Sequence, residues 1–179
     1  MHRLVIFLVL GALLCGCGSS SAQPSPTRTA ALGVKTYHDS RYGFTFSYPS
    51  IWSVPNRGGH MSTISGVPTY VVDVRTPHQA VGIQVTVDQD LKRSDYSSIP
   101  EGKVAPYGGA TLHYHHVTVS SWPSIQIQRY TGSQVDGIFT IANTHRYSFQ
   151  VQMITATPPF SADALTGYQT VVRTIHLPF

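Results

Sequence analysis

Apolar and polar residues alternate with a period of two along most of the chain beyond residue 43. The clearest run, at 81–87, interleaves Val and Ile with Gly, Gln and Thr. Such alternation is typical of strands that bury one face. Comparable runs occur at 44–48, 70–75, 125–128, 135–141 and 147–153. Short Gly-Ser and Asn-Thr intervals at 132–133 and 143–144 predict antiparallel hairpins.

The period changes to that of a helix near the end of the chain. Ser161 is a residue type that caps helix N-termini, and Asp163 falls in the favourable first turn. Apolar residues then recur at helical spacing, at Leu165, Tyr168, Val172 and Ile175. We predict a helix at Ala162–Arg173 and a last strand at 175–177; a shorter helix within 91–98 has a weaker pattern. The predicted fold class is α+β: a single twisted antiparallel sheet with a C-terminal helix packed on one face.

Alternation also assigns side chains to the two faces of this sheet. If Ile83, Ile127, Phe149 and Val151 face the core, the interleaved residues point the other way. That face carries Thr86 and five candidate partner-binding glutamines: Gln84, Gln126, Gln128, Gln150 and Gln152. Amides suit hydrogen bonding to a polymer or a partner's backbone. The alternatives are an ordinary solvated face and a face covered by a helix or loop.

The N-terminus predicts export and lipid attachment. A short basic start and an apolar run at 4–14, too short to span a bilayer, are typical of a signal peptide. The following Leu14-Cys15-Gly16-Cys17 resembles the lipobox of bacterial lipoproteins, although Cys15 fills a slot that usually holds Ala, Ser, Thr or Val. Cys17 is the predicted lipidation site, because a cut before Cys15 would leave Leu14 where a small residue is expected. An uncleaved signal anchor and a secreted protein with a free Cys are the alternatives.

These assignments divide the chain into three parts. Residues 1–16 are the predicted signal peptide, 17–36 the lipidated Cys with a flexible Ser/Pro/Thr-rich tether, and 37–179 the globular domain. Both Cys residues of the chain lie before the domain. The domain therefore has no disulfide, Cys-ligated metal or Cys nucleophile, and a packed core must stabilise it.

Composition narrows the function. Charged residues make up 11% of the chain and the net charge is +4, with no basic stripe for nucleic acid. Glu101 is the only glutamate, which excludes paired-Glu catalysis, and the Gly-x-Ser-x-Gly nucleophile elbow is absent. We expect no enzymatic activity, no cofactor and no nucleic-acid partner.

One segment, His113-Tyr114-His115-His116, suggests a metal site. On a strand, His113 and His115 point to the same face, close enough to share an ion, while His116 points away. A third ligand would come from Asp73, Asp88, His78 or His145. A spacing of two is weak evidence, so we predict no zinc or copper site tighter than micromolar.

The start of the domain is similar to a known family. Gly43, Phe44, Phe46, Tyr48-Pro49 and Trp52 match the Gly-Phe-x-Phe-x-Tyr-Pro-x-x-Trp motif of the PsbP-like (Mog/PsbP) superfamily. This superfamily includes an extrinsic photosystem subunit and many small bacterial lipoproteins. The resemblance implies a twisted antiparallel sheet with helices packed on it; the family has no shared catalytic motif. The motif aromatics themselves are expected in the core, with Pro49 ending a strand.

The function predicted from the sequence is that of a non-catalytic interaction or accessory module. It is held by lipid at a cell membrane, faces the extracytoplasmic side and contacts an unknown envelope protein or polymer. The alternative is a metal- or small-ligand-binding lipoprotein that uses the His113/His115 strand. A surface hydrolase is a third, less favoured interpretation.

Overall fold

The computed structural model describes residues 33–55, 58–64, 66–77, 82–88, 96–155 and 158–178. Within these ranges the chain forms ten strands, one α-helix and a 3₁₀ turn at Tyr96–Ser98. The strands are β1 (Val34–His38), β2 (Thr45–Pro49), β3 (His60–Ile64), β4 (Val67–Arg75), β5 (Gly82–Asp88), β6 (Val104–Tyr107), β7 (Ala110–Val119), β8 (Trp122–Thr131), β9 (Gln134–Asn143) and β10 (Ser148–Ile154). The helix, α1, spans Ala162–Thr174.

Eight of the strands form one antiparallel sheet in the order β3-β4-β5-β10-β9-β8-β7-β6. β1 and β2 form a separate antiparallel pair, so the prediction of a single sheet is wrong. The hairpins predicted at 132–133 and 143–144 are confirmed as the β8–β9 and β9–β10 connections. β1, β3 and β6 were not predicted, and β1 begins at Val34, inside the segment assigned to the tether.

The predicted last strand is only an isolated bridge. His176 exchanges two backbone hydrogen bonds with Thr45, of 2.8 and 3.1 Å. Pro178 follows two residues later and has no N–H with which to extend the pairing. The end of the chain is therefore tied to β2 and not to the large sheet.

α1 begins as predicted. The Ser161 hydroxyl accepts a hydrogen bond of 3.2 Å from the Ala164 N–H, and Asp163 lies in the first turn. The helix ends one residue beyond the predicted Arg173. Its buried residues are Ala164, Gly167, Tyr168 and Val171. Val172 is only partly buried, so the helix is turned about one residue from the predicted stripe.

The helix and the β1–β2 pair pack against the same face of the large sheet, which we call the helix face. Phe44, Phe46 and Trp52 are buried there, as predicted, whereas Tyr48 is partly buried at the edge. The Phe44 ring lies 5.7 Å from the Phe149 ring, which joins the small pair to the large sheet. This face therefore carries the main core.

The opposite face is called the ladder face. Ile83, Phe149 and Val151 point to the helix face, as predicted, but Ile127 does not. Ile127 pairs with Phe139 and the fully buried Ile125 pairs with Ile141, so these residues form a second apolar group on the ladder face. The 3₁₀ turn at 96–98 lies against β8.

Candidate functional site

Gln84, Gln150 and Gln152 lie side by side on the ladder face. β10 pairs with β5 so that Gln152 is directly opposite Gln84. The Gln150 Nε2 donates to the Gln152 Oε1 at 2.8 Å, and the Gln152 Nε2 donates to the Gln84 Oε1 at 2.5 Å. The Gln84 Nε2 then donates to the Asp73 Oδ1 on β4 at 2.9 Å. We call this row of four residues the amide ladder.

The carboxylate at the end of the ladder fixes the orientation of every amide. Asp73 only accepts hydrogen bonds when ionised, so Gln84 must present its NH₂ group to it. The Gln84 oxygen then accepts from the Gln152 NH₂ group, and the Gln152 oxygen in turn accepts from the Gln150 NH₂ group. The side chains of the row are therefore held in one arrangement by their own hydrogen bonds.

Two shallow clefts flank the ladder and share Gln152. The first, of about 360 Å³, is lined by Asp73, Arg75, Gly82, Gln84, Gln152 and Ile154. The second, of about 230 Å³, lies further along β5 and β10, beside Thr86 and Gln150. Arg75 and Asp73 form a loose ion pair at 3.8 Å, so the first cleft offers one charge of each sign. The first cleft is therefore mainly polar, whereas the second also has the apolar side chains of Ile64, Val67 and Ile141 in its lining.

Gln126 and Gln128 do not belong to this surface, which corrects the prediction. Gln126 pairs with Thr140 and Gln128 with Ile138, and both pairs lie on the helix face. Alternation along β8 is regular, but the residues that point to the main core are the glutamines and not Ile125 and Ile127. The five predicted glutamines therefore split into a set of three and a set of two on opposite faces.

The pair on the helix face lines a larger cleft of about 440 Å³. Its walls are the β8–β9 hairpin, the first turns of α1 and the segment before the helix, with Ile138, Phe160 and Leu165 as its apolar part. Sequence reasoning missed this site, because no local pattern indicates that α1 stops short of covering β8.

The His strand is placed as predicted. On β7, His113 and His115 share the helix face through their cross-strand partners Gln128 and Gln126, and His116 points to the other face. His115 Nδ1 lies 3.0 Å from the Glu101 Oε1, while the His113 ring lies 4.4 Å from the Tyr130 ring. The second oxygen of Glu101 accepts from the His116 N–H at 2.5 Å. These bonds lower the pKa of Glu101, with the backbone N–H contributing most.

The proposed third metal ligands do not join His113 and His115. Asp73 and Asp88 lie on the ladder face, on β4 and β5. His145 packs edge-on against Trp122, with 4.9 Å between the rings, and His78 lies outside the described residues. In the part of the chain that the structure describes, no group of three His, Cys, Asp or Glu side chains is arranged to hold a metal ion.

A buried network around Asp39 was not predicted. Its carboxylate accepts hydrogen bonds from the Tyr37 and Tyr70 hydroxyls at 3.0 and 2.5 Å and from the Tyr42 N–H at 2.6 Å. Burial, followed by the bond to Asp39, raises the pKa of Tyr70 above its usual range. The Arg41 guanidinium lies 5.6 Å from the Tyr70 ring. The network fixes the turn between β1 and β2 and is structural.

The predicted lipidation site, Cys17, lies outside the described residues, so the anchor stays a prediction. Among the residues that are described, no helix is long and apolar enough to cross a membrane.

Comparisons with known proteins found structural similarity only. No family model and no curated protein matches the chain. The solution structure of cyanobacterial PsbP (CyanoP) from Synechocystis sp. PCC 6803 is similar over 86% of this chain and 98% of its own, with 12% identity and a TM-score of 0.45. A crystal structure from Bacteroides thetaiotaomicron VPI-5482 is similar over 81% of this chain and 48% of its own, with 11% identity and a TM-score of 0.40. Identities of this size say nothing about ligands or partners.

Proposed function

We propose that this protein is a lipid-anchored, extracytoplasmic binding module that works without catalysis. In this proposal, Cys17 carries the lipid and the amide ladder is the surface that contacts an envelope polymer or protein. The assignment to the PsbP-like superfamily is part of the same proposal and rests on the Gly43–Trp52 motif.

The observation that carries the proposal is the pre-ordered row of Gln150, Gln152, Gln84 and Asp73. Each amide is already held by its neighbour. A single neutral hydrogen bond contributes only about 1 kcal/mol net, so useful affinity needs several made together. A row across three strands presents several such groups to a repeating ligand, and a membrane anchor raises the local concentration.

The binding surface is tested by replacing Gln150 and Gln152 with alanine. Recovery of envelope components by the purified protein is compared with that of the wild type, after circular dichroism has confirmed that the variant is folded. We expect the recovered partners to decrease at least several-fold. Thr63→Ala plus Thr118→Ala is the control, because it removes two exposed polar side chains that lie outside the ladder and line none of the three clefts, and it should leave recovery unchanged. Equal recovery by the ladder variant and the wild type would exclude the ladder as the working surface.

The anchor is tested separately in cells. Metabolic labelling with a fatty-acid analogue should label the wild type and Cys15→Ala, and should fail for Cys17→Ala because the thioether forms at that sulfur. Equal labelling of Cys17→Ala and wild type would contradict lipidation at this position.

A further inference from the structure

The 440 Å³ cleft on the helix face has the properties of a small-molecule site, and it is separate from the amide ladder. Its volume lies within the range of roughly 300–1,000 Å³ that is usual for such sites. Ile138 and Phe160 are nearly fully buried at its base, and Leu165 is partly buried beside them. An occupant would therefore rest on an apolar base.

The lining of this cleft is uncharged. Four glutamines, one serine and the Tyr168 hydroxyl supply its polar groups, and no Asp, Glu, Lys, Arg or His is among the described residues that line it. His113 and His115 lie on the neighbouring strand, opposite Gln128 and Gln126, and are not part of the lining. The one ionisable group in the lining is the Tyr168 hydroxyl, and burial raises its pKa above the usual value of about 10. A charged ligand would lose its hydration here without gaining a counter-charge from the lining, which is unfavourable.

Two amides hold a donor and an acceptor ready on the cleft wall. The Gln126 Nε2 donates to the Thr140 hydroxyl at 3.2 Å, which leaves the Gln126 Oε1 open. The Gln128 Oε1 accepts from the Tyr130 hydroxyl at 3.0 Å, which leaves the Gln128 Nε2 open. No described residue of the chain hydrogen-bonds to either open atom. The two side chains are two residues apart on one strand face, so they are spaced by roughly 7 Å.

We propose that this cleft binds a short neutral saccharide. Sugar hydroxyls donate and accept hydrogen bonds, which matches the open amide atoms, and the C–H face of a sugar ring suits the apolar base. A fatty acyl chain would cover the open atoms of Gln126 and Gln128 without replacing their bonds to water. A peptide strand has no backbone to pair with, because β8 is already hydrogen-bonded to β7 and β9 on both sides.

The test uses the full chain in phospholipid nanodiscs and measures binding by saturation-transfer NMR and calorimetry. The neutral probes are maltotriose and N,N′-diacetylchitobiose, and the charged counterpart is chitobiose, which carries two amines. We expect at least one neutral probe to bind with a Kd of 1 mM or tighter and chitobiose to bind at least tenfold more weakly. Gln126→Leu plus Gln128→Leu should weaken neutral-probe binding at least tenfold, whereas Gln150→Leu, on the other face, should not change it.

A second variant keeps the proposal testable if the double variant does not fold. Leu165→Trp fills the cleft and leaves both amides in place, so it should also abolish binding. The proposal is overturned if neither neutral probe binds with a Kd of 1 mM or tighter, or if chitobiose binds as tightly as the neutral probes. It is also overturned if Leu165→Trp leaves binding unchanged, or if laurate binds to the wild type and Leu165→Trp abolishes that binding.

Discussion

Replacing Gly167 with alanine sets helix propensity against packing, and the structure decides which effect is larger. Gly167 lies in the middle of α1 and is buried. In an exposed helix, Gly→Ala stabilises by about 1 kcal/mol. Here, the added Cβ would lie 2.1, 2.5 and 2.7 Å from three atoms of the Trp52 ring. Carbon atoms in contact are normally about 3.5–4.0 Å apart, so the ring or the helix has to move by about 1 Å or more.

The Trp52 ring has little room to move, because it is only 3% exposed and belongs to the main core. Overpacking of this kind costs about 1–3 kcal/mol, and three close atoms favour the upper end of that range. After subtraction of the propensity gain, we expect Gly167→Ala to lower the free energy of unfolding by about 2 kcal/mol. For a domain of this size, that corresponds to a decrease in Tm of roughly 4–8 °C.

Urea unfolding followed by circular dichroism measures the effect. The control is Thr166→Ala, the exposed neighbouring residue, which should be neutral or slightly stabilising since only propensity changes. Trp52→Phe removes the outer indole ring, so the double variant should lose at least 1 kcal/mol less than the sum of the two single variants. The reasoning is wrong if Gly167→Ala is as stable as the wild type or more stable.

Three further predictions concern the sheet. Ser121 lies in the β7–β8 turn at φ 68°, a left-handed conformation that glycine adopts without strain. Ser121→Gly should therefore raise the free energy of unfolding, measured in urea, by up to about 1 kcal/mol. A decrease in this free energy would contradict the prediction. Burial alone would raise the pKa of Asp136, but its hydrogen bond to Arg129 and the charge of that residue lower it overall. The ionised Asp136 carboxylate therefore stabilises the folded state above the unfolded pKa of about 4, and this stabilisation is lost as the pH falls through the lower folded pKa. Between pH 5 and pH 3, Asp136→Asn should lose less free energy of unfolding than the wild type. Equal losses would refute this prediction. Calorimetry should find no zinc or copper binding tighter than micromolar, and tight one-to-one binding that is lost in His113→Ala plus His115→Ala would overturn that prediction.

The local sequence pattern was sufficient to predict an element and its buried side wherever one side is buried and the other is exposed to solvent. β5 and β10 followed their alternation, and Ile83 and Val151 point to the main core as predicted. Ser161 marked the start of α1 because capping is a local hydrogen bond. The Gly132 turn was found for the same reason, since its conformation depends on adjacent residues only.

The pattern did not determine which face of β8 meets the main core. Alternation shows which residues of a strand lie on the same side, but not which face of the sheet that side belongs to. When apolar groups are present on both faces of the sheet, the apolar side of a strand can pack on either face. Ile125 and Ile127 found partners in Ile141 and Phe139, which places Gln126 and Gln128 on the helix face. A shift of face in one strand was enough to separate the predicted glutamine surface into two sites.

The sequence by itself therefore determined the antiparallel hairpins, the C-terminal helix and the residue types that each strand presents. Tertiary structure decided the separate β1–β2 pair, the alignment of Gln150, Gln152 and Gln84 with Asp73, and the open cleft beside α1. The physical reason is the separation along the sequence of the residues that interact. Capping, turns and alternation act between residues close in sequence, whereas the amide ladder needs strands from distant parts of the chain to pair in one register.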